Sequence, residues 1–174
     1  ITKRIANEDL SSFDYIFCWL GNTDLLVSII KLIEDKMNLE HDVNEVGVQL
    51  ILLVEDGIRF YSSILPNLYK FVLKQSQEFS TEALNAHQRT LRMRGRPKIV
   101  LARTYEEAFG IYEKYKNNIL GVITDVRFPR MERGEKDGLA GIKLCAAIRK
   151  EDPFVPLIIQ SSESDNVAYA AKYD

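Results

Sequence analysis

The chain is poor in the residues that would announce the commonest chemistries. It has only two cysteines, Cys18 and Cys145, among 174 residues. Both lie inside apolar patterns, so they read as reduced core residues rather than a disulfide framework. It has only two histidines, His41 and His87, with no His/Cys cluster to suit zinc or another soft metal. No charge sign dominates: the formal net charge is −2, with 28% charged residues, which gives no footprint for nucleic acid or a membrane surface. No apolar run is long enough to span a bilayer, and no secretory signal is seen. A cytoplasmic setting is expected. Internal repeats, low-complexity segments and a DNA-binding helix-turn-helix are also missing. The sequence begins at Ile1 without a methionine and stops at Tyr173-Asp174; it is expected to be part of a longer chain.

What is present is apolar runs that end in polar residues. Leu50-Ile-Leu-Leu-Val54 runs into Glu55-Asp56, Ile119-Leu-Gly-Val-Ile-Thr ends at Asp125, and Val155-Pro-Leu-Ile-Ile-Gln160 leads to Ser161-Ser162. Lys98-Ile-Val-Leu-Ala102 is another short run. Helical patterns alternate with these strands, which predicts a parallel sheet with helices on both faces. Thr104-Tyr-Glu-Glu107 is a capping-box pattern, opening a helix with Ala108, Ile111 and Tyr115 on its apolar face. A polar loop over 130–137 precedes a helix carrying Leu139, Ile142, Cys145 and Ile148, and another helix is expected to begin near Ser164-Asp165.

Upstream, Tyr15-Ile-Phe-Cys-Trp-Leu20 is predicted to be a strand from its aromatic and β-branched content. A helix over 23–37 follows, capped by Asn22 or Thr23, with Leu25, Ile29, Ile33 and Met37 as its apolar stripe and Leu26 and Ile30 beside them. Residues 39–47 read as a polar linker. From Ile58 to Arg94 the pattern is helical, an extended helix or a hairpin, with Pro66 at a first turn or kink and a basic run from Arg89 to Lys98.

In a parallel sheet Glu55, Asp56 and Asp125 would sit at the same edge, where ligands bind. Carboxylates that close repel, and a divalent cation relieves the repulsion. An all-oxygen set with room for water suits Mg²⁺. Each residue also has a plainer reading. Asp125 could be a turn or cap residue, Glu55-Asp56 and Ser161-Ser162 could cap helices, Gly138 could serve the backbone at a helix entry, and the basic run could be a solvated face.

Four features in order resemble the receiver domain of two-component response regulators over residues 48–174: Leu-Leu-Val-Glu55-Asp56, Asp125-Val-Arg-Phe-Pro129, Asp137-Gly138-Leu139 and Pro156-Leu-Ile-Ile-Gln-Ser161-Ser162. The resemblance implies a flavodoxin-like (CheY-like), doubly wound α/β sheet of about five strands, here lacking the last strand and helix and carrying an extended helical insertion after the first receiver strand. It implies that Asp125 accepts a phosphoryl group from a histidine kinase or phosphotransfer protein. Asp56, Glu55, Asp125 and the backbone carbonyl of Arg127 would hold Mg²⁺, and the Ser161 hydroxyl would hydrogen-bond the phosphoryl group. The activity would be phosphorelay, with at most weak autophosphatase action. The family's fifth-strand lysine and aromatic switch residue do not occur in this sequence. That keeps a second reading, a non-phosphorylated pseudo-receiver acting as an interaction module. A dehalogenase-like phosphatase would carry a second aspartate two residues after the first, where Arg127 stands.

Residues 1–40 form a separate strand-helix unit in this reading. It is either the tail of a preceding receiver-like domain or a filler of the fifth-strand position, in its own chain or in a strand-swapped homodimer. The 15–65 stretch resembles large bacterial proteins in which receiver-like modules precede phosphoenolpyruvate synthase-like domains.

Overall fold

The computed structural model describes residues 13–81 and 95–161. Strands β1 (Leu50–Val54), β2 (Lys98–Ala102), β3 (Ile119–Asp125) and β6 (Leu157–Gln160) form one parallel sheet in the order β2-β1-β3-β6. This is the flavodoxin-like order, with the reversal of direction falling between β1 and β3. Strands β4 (Phe128–Pro129) and β5 (Lys136–Asp137) make a small antiparallel ribbon within the loop expected at 130–137. Among the described residues the α-helices are α1 (Asp24–Asn44), α2 (Ile58–Thr81), α3 (Tyr105–Tyr115) and α4 (Ala140–Glu151). Residues 1–12, the stretch 82–94 with His87, Arg89, Arg92 and Arg94, and the helix expected from Ser164 lie outside the described residues, as does Ser162.

The strands alternate cleanly. Leu50, Leu52 and Val54 of β1 join Val122, Tyr112, Leu144 and Ile148 in a core on the side of α3 and α4. Ile51 and Leu53 point the other way, to Tyr61, Leu65 and Tyr69 of α2 with Ile99 and Leu101 of β2. Burial on both faces explains why these strands are continuous apolar runs. Thr104 caps α3 as predicted, accepting the Glu107 N–H at 3.2 Å, while the Glu107 carboxylate reaches back to the N–H of Arg103 at 2.7 Å. Pro66 lies inside α2, past its first turn.

The amino-terminal region departs from expectation. Residues 15–20 form no strand. They cross α2 as an irregular strap: the Tyr61 hydroxyl donates to the Ile16 carbonyl, the Cys18 N–H donates to the Ser62 hydroxyl, and Phe17 meets Tyr61 edge to face. Aromatic and β-branched residues fit any half-buried surface, and here a helix supplies it. Within one chain this segment therefore does not occupy the place beside β6.

Helix α1 covers the opposite edge of the sheet. It continues through the predicted linker to Asn44, and Gly47 at φ +73° turns the chain out of it while donating to the Val43 carbonyl. Asn22 rather than Thr23 supplies the cap, accepting the Asp24 N–H at 2.9 Å. The buried stripe is Leu25, Ser28, Leu32, Asp35, Leu39 and Val43. Of the predicted stripe only Leu25 is buried; Ile29 is half-buried and Ile33 and Met37 face solvent, Met37 at 79% exposure, as do Leu26 and Ile30 beside them. Asp35 decides the rotation. Its carboxylate, fully buried, accepts from the Arg96 guanidinium (2.7 and 3.1 Å), the Tyr69 hydroxyl (2.9 Å) and the Ile99 backbone N–H (3.0 Å). The last bond satisfies a donor on edge strand β2 that would otherwise be open to pairing. Lys98 joins the group, its ammonium 3.7 Å from Asp35 Oδ1 and 2.6 Å from Asp42. Burial and the Asp35 charge together hold the Tyr69 hydroxyl protonated.

Candidate functional site: an acidic pocket at the strand switch

Neighbouring parallel strands bring the acidic residues to one edge. Val54 is in register with Thr124, so Glu55 and Asp56 leave β1 beside the end of β3, where Asp125 stands. The β1–β2 ladder runs one residue further, the Glu55 N–H donating to the Ala102 carbonyl at 3.0 Å. Glu55, Asp56 and Asp125 each place a carboxylate oxygen within 4.8 Å of the others. The pocket they line, of about 300 Å³, also takes in Lys136, Gln160 and Ser161, with Phe60 and Ile64 of α2 as its apolar wall. Gln160 arrives because it is in register with Asp125 on the adjoining strand β6.

Each carboxylate is held differently. Glu55 is 6% exposed, and its Oε1 accepts the Gly57 N–H at 2.8 Å, a capping-like bond just before α2. Burial is the main cause that pushes its carboxyl up to about 7; the charges of Asp125 and Asp56 add to this, and the Gly57 N–H and Lys136 oppose it. Asp56 gives Oδ2 to the Lys136 ammonium at 2.6 Å. Its Oδ1 is buried with no hydrogen-bond partner among the described residues. Asp125 Oδ2 accepts the Arg127 N–H at 3.3 Å. The plainer readings thus hold in part: both Glu55 and Asp125 also organise their own turns.

The backbone under Asp125 is clamped by α4. The Gly141 N–H donates to the Val126 carbonyl at 3.1 Å, and a Cβ at position 141 would meet the Asp125 carbonyl oxygen at 2.0 Å. Gly138 at the helix entry has no such neighbour, since a Cβ there would meet nothing.

The donor set fits a hard divalent cation: three carboxylates, no nitrogen or sulfur, and an orphaned buried oxygen on Asp56. Sequence reasoning missed Lys136 and assigned no role to Gln160. Lys136 sits in a polar loop, and only the β4–β5 ribbon folds it back over Asp56. Gln160 was legible as the last residue of a strand but not as the register partner of Asp125. Both cysteines are free, and burial pushes the Cys145 thiol up to about 11. Among the described residues no helix is long and apolar enough to cross a membrane.

No family model matches this sequence, and no curated protein matches it. Among solved structures the chain is similar to a response regulator receiver domain protein from Clostridium thermocellum. The identity is 24%, the match covers 72% of this chain and 75% of that one, and the TM-score is 0.43. At that score the likeness adds nothing to what the strand order itself shows.

Proposed function

We propose that this domain is a Mg²⁺-dependent phosphoacceptor of the receiver type, taking a phosphoryl group on Asp125 from the phosphohistidine of a kinase or phosphotransfer protein. The observation that carries the reading is the convergence of Glu55, Asp56 and Asp125 at the reversal point of a parallel sheet, within 4.8 Å. An Asp125 carboxylate oxygen forms the new O–P bond as the P–N bond to the donor imidazole breaks, and the imidazole leaves and takes up a proton. Glu55, Asp56, Asp125 and the Arg127 carbonyl would hold the cation, which supplies neutralisation of the phosphoryl oxygens. Ser161, at the pocket rim, would hydrogen-bond a phosphoryl oxygen. The test is labelling with acetyl phosphate, or binding of beryllium trifluoride with Mg²⁺. Wild type should be modified at Asp125. If Asp125→Asn binds the mimic equally well, the reading fails.

The Lys136–Asp56 pair favours a second reading, in which the ammonium permanently neutralises the pocket and the fold serves as an interaction module. Magnesium titration separates the two. A working site binds at roughly millimolar level and loses binding in Asp56→Ala.

A further inference from the structure

We propose that Lys136 is a mobile counter-ion of the acidic pocket: while it pairs Asp56 it opposes the binding of a divalent cation, and once displaced it becomes a partner for the incoming anion. The inference rests on the reading of Glu55, Asp56 and Asp125 as a cation site, and adds how access to that site is controlled.

The geometry sets up a direct competition. Lys136 Nζ lies 2.6 Å from Asp56 Oδ2, in the same pocket as Glu55 and Asp125. A metal ion on the unpartnered Asp56 Oδ1 would lie close to the ammonium on Oδ2 and be repelled by it. A positive charge held there also repels a second cation throughout the small pocket.

The backbone beneath Lys136 is fixed while its side chain is not. Phe128, the register partner of Asp137 in the ribbon, is fully buried. Asp137 points to the other face of the ribbon, where it accepts from the Leu139 N–H at 3.0 Å and from Lys143 Nζ at 2.6 Å. The Lys136 side chain is 54% exposed, so its four-carbon stem can swing without disturbing packing. Once displaced, the ammonium stays tethered at the mouth of a pocket whose carboxylates are then neutralised. That is a position from which it attracts a phosphoryl-like anion.

The two halves predict opposite effects of one substitution, which a purely structural role would not produce. Calorimetric titration with MgCl₂ should show Lys136→Gln binding roughly tenfold more tightly than wild type, and Lys136→Arg, which keeps the charge, binding as wild type does. At saturating Mg²⁺, beryllium trifluoride followed by fluorine NMR should bind severalfold more weakly to Lys136→Gln. Unchanged or weaker Mg²⁺ binding by Lys136→Gln overturns the competition, and an unchanged response to the fluoride overturns the anion role. If instead Asp56→Asn binds Mg²⁺ as well as wild type, the cation-site reading itself is wrong and this inference falls with it.

Discussion

The Asp35 carboxylate of α1 grips the Arg96 guanidinium before β2 through two bonds, of 2.7 and 3.1 Å, with both side chains almost wholly out of solvent. The Tyr69 hydroxyl and the Ile99 N–H also donate to Asp35 Oδ2, and the Lys98 ammonium lies 3.7 Å from Oδ1. Removing one member of such a group leaves the others buried and unpaired. Asp35→Ala is expected to destabilise the protein by about 3–5 kcal/mol, read as the urea midpoint. Arg96→Ala in the same background should add much less than it does alone. Full additivity of the two substitutions would show that the pair does not act as a unit.

Gly141 is expected to be intolerant of a side chain. A methyl group there would run into the Asp125 carbonyl, so α4 must shift from the strand end. Gly141→Ala should cost about 1–3 kcal/mol and, on the proposed phosphoacceptor reading, lower acetyl phosphate labelling of the protein that remains folded. Gly138→Ala, where a Cβ meets nothing, is the control and should leave both unchanged.

Glu55 is expected to make stability pH-dependent, and cation binding with it where the proposed site is correct. Its folded carboxyl titrates at about 7 against a reference of 4.5. Between those values the folded state holds a proton that the unfolded chain has lost. Stability is therefore fullest below pH 4.5 as far as this group is concerned, and falls as pH rises through about 7. The shift corresponds to on the order of 3 kcal/mol. Glu55→Gln should flatten that slope in pH-dependent denaturation. Because the proton and a cation compete for the carboxylate, wild-type Mg²⁺ affinity should drop as pH falls below about 7. An identical pH profile in Glu55→Gln would assign the titration to another group.

The cap on α3 offers a smaller effect. Thr104→Ala frees the Glu107 N–H and should cost about 1 kcal/mol, seen in thermal melting. Thr104→Ser, which keeps the oxygen, should cost a fraction of that.

How far the residue pattern carried the structure differs from element to element. Lys98–Ala102 and Ile119–Asp125 are strands at the predicted positions because an uninterrupted apolar run buried on both faces has few other places in a small α/β domain. The α3 cap was readable because Thr104 and Glu107 interact within one turn. Helix α1 was read in the wrong rotation. The predicted stripe, Leu25, Ile29, Ile33 and Met37 with Leu26 and Ile30 beside it, is apolar throughout, whereas the buried one contains Ser28 and Asp35. The poorer-looking stripe is buried because Arg96, Tyr69 and Ile99 lie far along the chain and meet Asp35 only in space.

The four strands of the sheet, the Thr104 cap and the acidic character of the strand ends were written in the chain, since they depend on neighbours a few positions apart. Which edge of the sheet the amino-terminal helix closes, and which cation reaches Asp56, were settled by folding. Those outcomes depend on charges and donors brought together from distant segments: Asp35 to Arg96, and Lys136 to Asp56. Local periodicity reports how a segment can be buried, but the partner that buries it, or neutralises it, is chosen by the packed whole.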